Sequence, residues 1–224
     1  MSRREAKTAL YEQFARMGKG LSNPKRLELL DLLSQGERSV EALASVAGLG
    51  ISTASLHLQA LKDAGLVASR REGTFIHYRL KGQDVGALFA MLREVATAHL
   101  AEIDRAAVKY LGENPHDSAE TVERSDLLRR ARAGEVIVLD VRPTLEYEAG
   151  HIPGAVSVPL EKLDKFLANL IEGEELVVYC RGAYCVLAYD AVRTLNASGH
   201  RARRLQEGML EWRLAGLPVE SGAA

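Results

Sequence analysis

Val177-Val178-Tyr179-Cys180-Arg181-Gly182-Ala183-Tyr184-Cys185-Val186 joins an apolar run to a thiol and then to a tight loop that opens a helix. Leu176 to Tyr179 reads as a strand and Val186 to Ala197 as the helix that follows. Both cysteines of the chain fall inside this segment. The thiolate is the reactive form of cysteine, and the unpaired N–H groups of a helix N-terminus lower a thiol's pKa. Cys180 is therefore a candidate nucleophile, in a loop of Arg181, Gly182, Ala183, Tyr184 and Cys185.

Working outward, strands and helices alternate through the second half. Val122 to Arg132 is predicted helical, Val136 to Asp140 a buried strand, Ala155 to Val158 a short strand, and Leu160 to Leu170 a helix. Ala202 to Leu205 is a further strand and Met209 to Ala215 a last helix. This alternation implies an α/β domain with a parallel sheet, in which ligand chemistry belongs at the carboxyl ends of the strands. Cys180 lies at such an end.

Asp140-Val-Arg142, Glu146-Tyr147, Gly150-His151-Ile-Pro-Gly154-Ala155, Val-Val-Tyr-Cys180 and the run from Gly208 through Trp212 to Val219 follow one another in a fixed order. In that order they resemble the rhodanese-like sulfurtransferases over about residues 121–220. The resemblance implies that Cys180 accepts a sulfane sulfur as a persulfide and passes it to a thiol. Convergent backbone N–H groups would stabilise the terminal sulfur's negative charge. Arg181 would add a mobile positive charge for anionic donors such as thiosulfate, and Gly182 would permit the sharp turn. A cysteine phosphatase needs an Arg forked onto phosphate where this chain has Val186, which argues against phosphoryl transfer. Asp140 and Arg142 read as a supporting ion pair or loop anchor, His151 as the organiser of its turn and Trp212 as core.

Cys185 departs from the resemblance, because many catalytic rhodaneses carry a small or basic residue in the later part of this loop. Read by itself it is either a helix-packing residue or a redox partner. If the two Cα atoms approach within about 7 Å, a Cys180 persulfide can be resolved to a Cys180–Cys185 disulfide. The domain would then sense sulfur instead of turning it over.

The first half is mainly helical. Apolar Ala6, Leu10, Phe14 and Met17 share one helix face; Asn23-Pro24 caps a second helix filled by Leu27, Leu29, Leu30, Leu32 and Leu33. Ser39 caps a short helix, Gly48-Leu-Gly50 makes a turn, and Ser52 is expected to cap a helix running to Leu66. This is a helix-turn-helix pattern, whose second helix would present Ser52, Thr53, Ser55, His57 and Gln59 to a DNA major groove. Two β-prone runs around Gly73 form a hairpin, with Arg70 and Arg71 near its tip expected on phosphate or in the minor groove.

Leu-Glu-Leu-Leu, Ser-Val-Glu-Ala-Leu-Ala, Ser-Thr-Ala-Ser-Leu-His-Leu, Leu-Lys-Asp-Ala-Gly-Leu-Val, Arg-Arg-Glu-Gly and Tyr-Arg-Leu, in that order, resemble the ArsR family of winged-helix repressors over about residues 5–111. The resemblance implies a homodimer joined through the first helix and a long last helix over Gln83–Leu111, on a palindromic double-stranded DNA operator. Metal sensing does not carry over. Ser39 and Glu41 stand where the family's cysteine box has thiolates, and Leu88 and Gly86 leave His99 and Glu102 without partners.

At 224 residues the chain suggests two domains. The first half to Gly112 carries 16 Lys and Arg against 12 Asp and Glu, whereas the remainder carries 13 against 18. The basic half is thus the one suited to a polyanion. No apolar run approaches the roughly 20 residues that span a bilayer, and two close cysteines fit a reducing compartment, so a cytoplasmic protein without membrane contact is expected. The expected layout is a mainly α winged helix-turn-helix domain at 1–111, a linker at 112–120 and an α/β rhodanese-like domain at 121–224, with no cofactor and no metal. The leading function is a DNA-binding repressor that carries or senses sulfane sulfur from a donor such as thiosulfate or a persulfide. Two alternatives stay open: a working sulfurtransferase with DNA binding secondary, and a dithiol redox- or arsenic-responsive repressor.

Overall fold

The structure, a computed structural model, describes residues 1–115, 121–168, 170 and 173–222. The chain divides into two compact units, Met1–Met91 and Leu92–Ala224. The division falls inside a helix, ahead of the boundary expected at Leu111. Part of the expected linker, residues 116–120, lies outside the described residues.

The first unit begins with α1 (Arg3–Leu21), whose Ser2 and Glu5 cap each other reciprocally. In α2 (Pro24–Gln35) the Asn23 side chain accepts from the Arg26 N–H, with Pro24 opening the helix. β1 (Arg38–Ser39) leads into α3 (Val40–Val46), where Ser39 accepts from Ala42 N–H. Gly48, at φ 62°, turns the chain into α4 (Ile51–Asp63). The expected Ser52 cap is not formed: Gly50 already takes the extended cap conformation, which places Ser52 within the first turn. α4 also stops at Asp63, ahead of Leu66.

β2 (Val67–Glu72) and β3 (Phe75–Leu80) pair antiparallel from Val67 opposite Leu80 to Glu72 opposite Phe75. Only Gly73 and Thr74 connect them, and Gly73 supplies the positive φ of 58° that such a short turn demands. β1 adds to the other edge of β3. Leu29, Leu30, Leu43, Ala54, Leu58, Leu61 and Leu66 are buried. On α1, Leu10, Tyr11, Phe14 and Met17 are exposed.

The long helix expected over Gln83–Leu111 is two helices, α5 (Gln83–His99) and α6 (Ala101–Leu111). Leu100 between them is extended, at φ −119° and ψ 95°. Charge fits the second start: Glu102 and Asp104 open α6, where carboxylates face the favourable end of a helix dipole.

In the second unit β4 (Thr121–Val122) precedes α7 (Arg124–Arg132), so Val122 is strand where a helix was expected. β5 (Ile137–Asp140), α8 (Thr144–Ala149) and β6 (Val156–Ser157) follow. A 3₁₀ turn at Leu160–Lys162 and α9 (Leu163–Leu167) replace the single helix expected to Leu170. The chain continues with β7 (Glu175–Tyr179), α10 (Val186–Ala197), β8 (Arg201–Leu205) and α11 (Met209–Leu214). The sheet has the order β4-β8-β7-β5-β6, and every pair in it is parallel.

Alternate residues of the central strand β7 enter two cores. Leu176 and Val178, in phase with Cys180, pack with Ala188, Val192 and Leu195 of α10. Val177 and Tyr179 pack on the other face with Leu127, Leu205, Met209 and Trp212. Strand register therefore decides that Cys180 sits on the α10 side.

Candidate functional site

The loop after β7 leaves the middle of the sheet at its carboxyl edge. Cys180 is 1% exposed and is joined to Cys185 by a disulfide, with the Cα atoms 6.1 Å apart. Cys185, rather than Cys180, is the N-cap residue of α10. The favourable end of that helix dipole thus acts most directly on Cys185.

The loop is held by neighbours that the sequence motifs did not identify as a group. The Cys180 carbonyl accepts from Met209 N–H at 3.0 Å, and the Arg181 carbonyl accepts from Leu210 N–H at 3.4 Å. This contact requires Gly208, since a side-chain carbon there would collide with the backbone of Arg181 and Gly182. Within the loop, Cys185 N–H donates to the Gly182 carbonyl at 3.1 Å. The Ala183 carbonyl accepts from the Tyr189 hydroxyl at 2.8 Å, and burial pushes Tyr189 up to about 12. Tyr184 lies 2.9 Å, hydroxyl to hydroxyl, from Thr97.

Arg181 does not act as the mobile mouth charge expected of it. Its Nη2 lies 2.6 Å from Glu146 Oε1 and its Nε donates to both carboxylate oxygens, while Glu146 is only 1% exposed. The motif Glu146-Tyr147 singles out this glutamate in sequence, but its pairing with Arg181 comes only from tertiary closure.

Below the loop, Asp140 and Arg142 form the expected pair, both fully buried, with Arg142 Nε 2.9 Å from Asp140 Oδ1. Tyr179 completes the group by donating its hydroxyl to Asp140 Oδ2 at 2.5 Å and accepting from Ile152 N–H at 3.1 Å. Burial, with the Asp140 charge, holds the Tyr179 hydroxyl well above its ordinary range. Arg142 also donates to the Gly150 carbonyl. His151 stacks on Tyr147 at 3.7 Å between ring centroids, and its Nδ1 lies 2.9 Å from the Tyr147 carbonyl. Trp212 is fully buried and donates to the Pro218 carbonyl.

In the first unit, Ser52, Thr53, Ser55 and Gln59 are exposed on α4 and His57 is half-buried, opposite the buried Ala54, Leu58 and Leu61. Ile51 and Leu56 also face outward, Leu56 at 73% exposure. Leu56 lies off the phase of the buried Ala54, Leu58 and Leu61, which is the signal in the sequence for its exposure. On the wing Arg70 bonds Glu37 at 2.6 Å and Glu72 at 2.5 Å, which raises its pKa. Arg71 donates to the Gly73 carbonyl. The two arginines are therefore not equivalent cations.

No helix among the described residues is long and apolar enough to cross a membrane. A family model described as a rhodanese-like domain matches residues 123–215, and one described as a helix-turn-helix domain matches residues 21–70. The HTH-type transcriptional regulator Rv0324 of Mycobacterium tuberculosis is 54% identical across 98% of this chain and 95% of its own. A sulfurtransferase of Allochromatium vinosum is 28% identical over 41% of this chain and 84% of its own. Among solved structures, the homodimeric winged helix-turn-helix DNA-binding domain Mb0332 of Mycobacterium bovis is 54% identical, with a TM-score of 0.42, over 46% of this chain and 93% of that one. With a relative of this identity along nearly all its length and with both domains matched, the chain belongs to the HTH-type transcriptional regulators, as an ArsR-type winged helix-turn-helix domain followed by a rhodanese-like domain.

Proposed function

We propose that the protein is an operator-binding repressor whose Cys180–Cys185 loop registers sulfane sulfur. The observation that carries this reading is the disulfide itself, formed between the only two cysteines of the chain at the carboxyl edge of a parallel sheet. A turnover enzyme needs the Cys180 thiol returned free after each cycle, whereas a neighbouring thiol that closes onto it stores the event.

The chemistry balances with the residues present. The Cys180 thiolate attacks the outer sulfur of thiosulfate, releases sulfite and becomes a persulfide. The Cys185 thiolate then attacks Cys180 Sγ, closing the disulfide and expelling hydrosulfide. An alkyl persulfide donor would release its parent thiolate in the first step. Cys185 suits the second attack because its place at the start of α10 favours the thiolate.

On the DNA side, Ser52, Thr53, Ser55, His57 and Gln59 of α4 would read base edges while Arg71, with Arg70, meets phosphate. The exposed apolar residues of α1, with Leu88, Met91 and Val95 of α5, would be covered in a homodimer. In the reduced protein, Cys180→Ser should abolish persulfide formation, seen as loss of the one-sulfur mass gain after thiosulfate. Cys185→Ser should retain that mass gain and accumulate it. Operator affinity of the parent should differ between reduced and donor-treated protein in gel shifts, and either substitution should remove the difference. Equal affinities in the two parent states would overturn the proposal. Sustained sulfur transfer to cyanide at an undiminished rate would instead favour the sulfurtransferase reading, supported by the rhodanese-like match.

A further inference from the structure

The sulfur-sensing reading leaves open how the state of the loop leaves the loop. The second compact unit begins at Leu92, so the last turns of α5 belong to it together with the rhodanese-like fold. Two side chains on those turns engage the loop and its support. Thr97 meets the hydroxyl of Tyr184 at 2.9 Å, and Tyr184 lies between the two cysteines in sequence. One turn earlier, Arg93 pairs with Glu211.

Glu211 is part of the loop's anchorage. Its other carboxylate oxygen accepts from Gly208 N–H at 3.1 Å, and Gly208 is the residue that admits the backbone of Arg181 and Gly182. The same Arg93 guanidinium would lie 3.1 Å from a side-chain carbon at Gly182. Arg93 and Glu211 are both largely buried, with side chains 23% and 15% exposed. Tyr184 also packs against the buried cluster that Ala107 and Leu111 of α6 form with Tyr189. Upstream, α5 continues unbroken through Val85, Gly86, Phe89 and Ala90, which are buried.

From this geometry we infer that the last turns of α5 are the reader of the loop: Thr97, through Tyr184, registers whether Cys180 and Cys185 are joined, while the Arg93–Glu211 pair keeps that helix end seated on the loop's anchorage in either state. Opening the disulfide frees the segment that carries Tyr184 and loosens its hydroxyl contact with Thr97. A persulfide on Cys180 adds an atom where Cys185 sulfur now sits, with the same effect on Tyr184. A helix is stiff along its axis, so altered ordering at residues 93–97 changes the helix that also contributes Val85 and Phe89 to the first unit. Tyr184 and Thr97 are positioning residues in this scheme and take no part in sulfur chemistry.

The inference rests on the sensing reading but is tested apart from it. In the full chain, hydrogen exchange of residues 92–99 is compared between the oxidised protein and the protein reduced with dithiothreitol. Exchange should accelerate about tenfold on reduction, within the span of ordinary coupling between sites. In Tyr184→Phe combined with Thr97→Val the acceleration should vanish, while thiol counts show the disulfide still forming and opening. The double variant should bind operator as the reduced parent does, with its two-state affinity ratio reduced to about one. Identical exchange in both parent states would overturn the inference even if operator affinity responds to sulfur. A parent affinity ratio that survives the double substitution would overturn it while leaving sulfur sensing intact. Equal parent affinities would defeat the sensing reading and the inference together.

Discussion

Asp140 and Arg142 illustrate how little freedom individual side chains have beneath the loop. Both are fully buried, and each supplies the charge that makes burial of the other tolerable. Asp140→Asn removes one charge and leaves the guanidinium enclosed. The variant should lose about 3–5 kcal/mol, read from the urea midpoint at unchanged slope. The sequence marks Asp140-Val-Arg142, within the rhodanese-like motifs, as either an ion pair or a loop anchor. It did not suggest Tyr179, whose apolar neighbours mark it as core and whose hydroxyl role depends on where β5 lies. Arg181 marks the other limit. Its place in the loop was legible, but its restraint by Glu146 depends on α8 closing over the loop. Arg181→Ala should therefore destabilise the protein by removing the guanidinium's hydrogen bonds to a buried carboxylate, on the order of 2 kcal/mol in the same urea titration.

At the scale of elements, Glu175 at the amino end of β7 accepts from Arg130 of α7 and from Arg203 midway along β8, tying the two paired strands to the helix. Hydrogen bonds from Arg130, then Arg203, hold its carboxyl down to about 2 against an ordinary 4.5. A depressed carboxyl stabilises the fold above its unfolded value and ceases to do so as pH falls. The contribution should thus be complete above about pH 4.5 and disappear toward pH 2. Glu175→Gln should lower thermal stability at neutral pH by about 2 kcal/mol and flatten the parent's acid transition across that window, followed by circular dichroism. Gly208→Ala should cost about 1–3 kcal/mol by driving the start of α11 away from the loop, and should speed disulfide reduction. β5, β7 and α10 could be placed from sequence because apolar runs and helical spacing declare them locally. β1 and β4 are two residues each and exist only through their partner strands. The break at Leu100 carries no Gly or Pro, so the continuous apolar spacing read through it.

For the whole molecule, the exposed apolar residues of α1 and α5 are the feature with the largest consequence for assembly. Phe14→Glu with Met91→Glu should turn the proposed dimer into a monomer in sedimentation and weaken operator binding, because two half-sites are no longer engaged together. On the wing, Arg71→Ala should weaken operator binding more than Arg70→Ala, since Arg70 is already shared between Glu37 and Glu72. Loss of a phosphate contact should lower the log–log salt slope by about one, measured by titration at several salt concentrations. Both domains were recognisable from ordered motifs, yet the compact-unit boundary inside α5 was not, since packing and not composition draws it. The disulfide joins two residues of a single loop, so its closure is a unimolecular event within one chain. In the proposed scheme this closing step is first order in protein, so with the sulfur donor in excess its half-time would be the same in a cell holding a handful of these molecules as in one holding thousands.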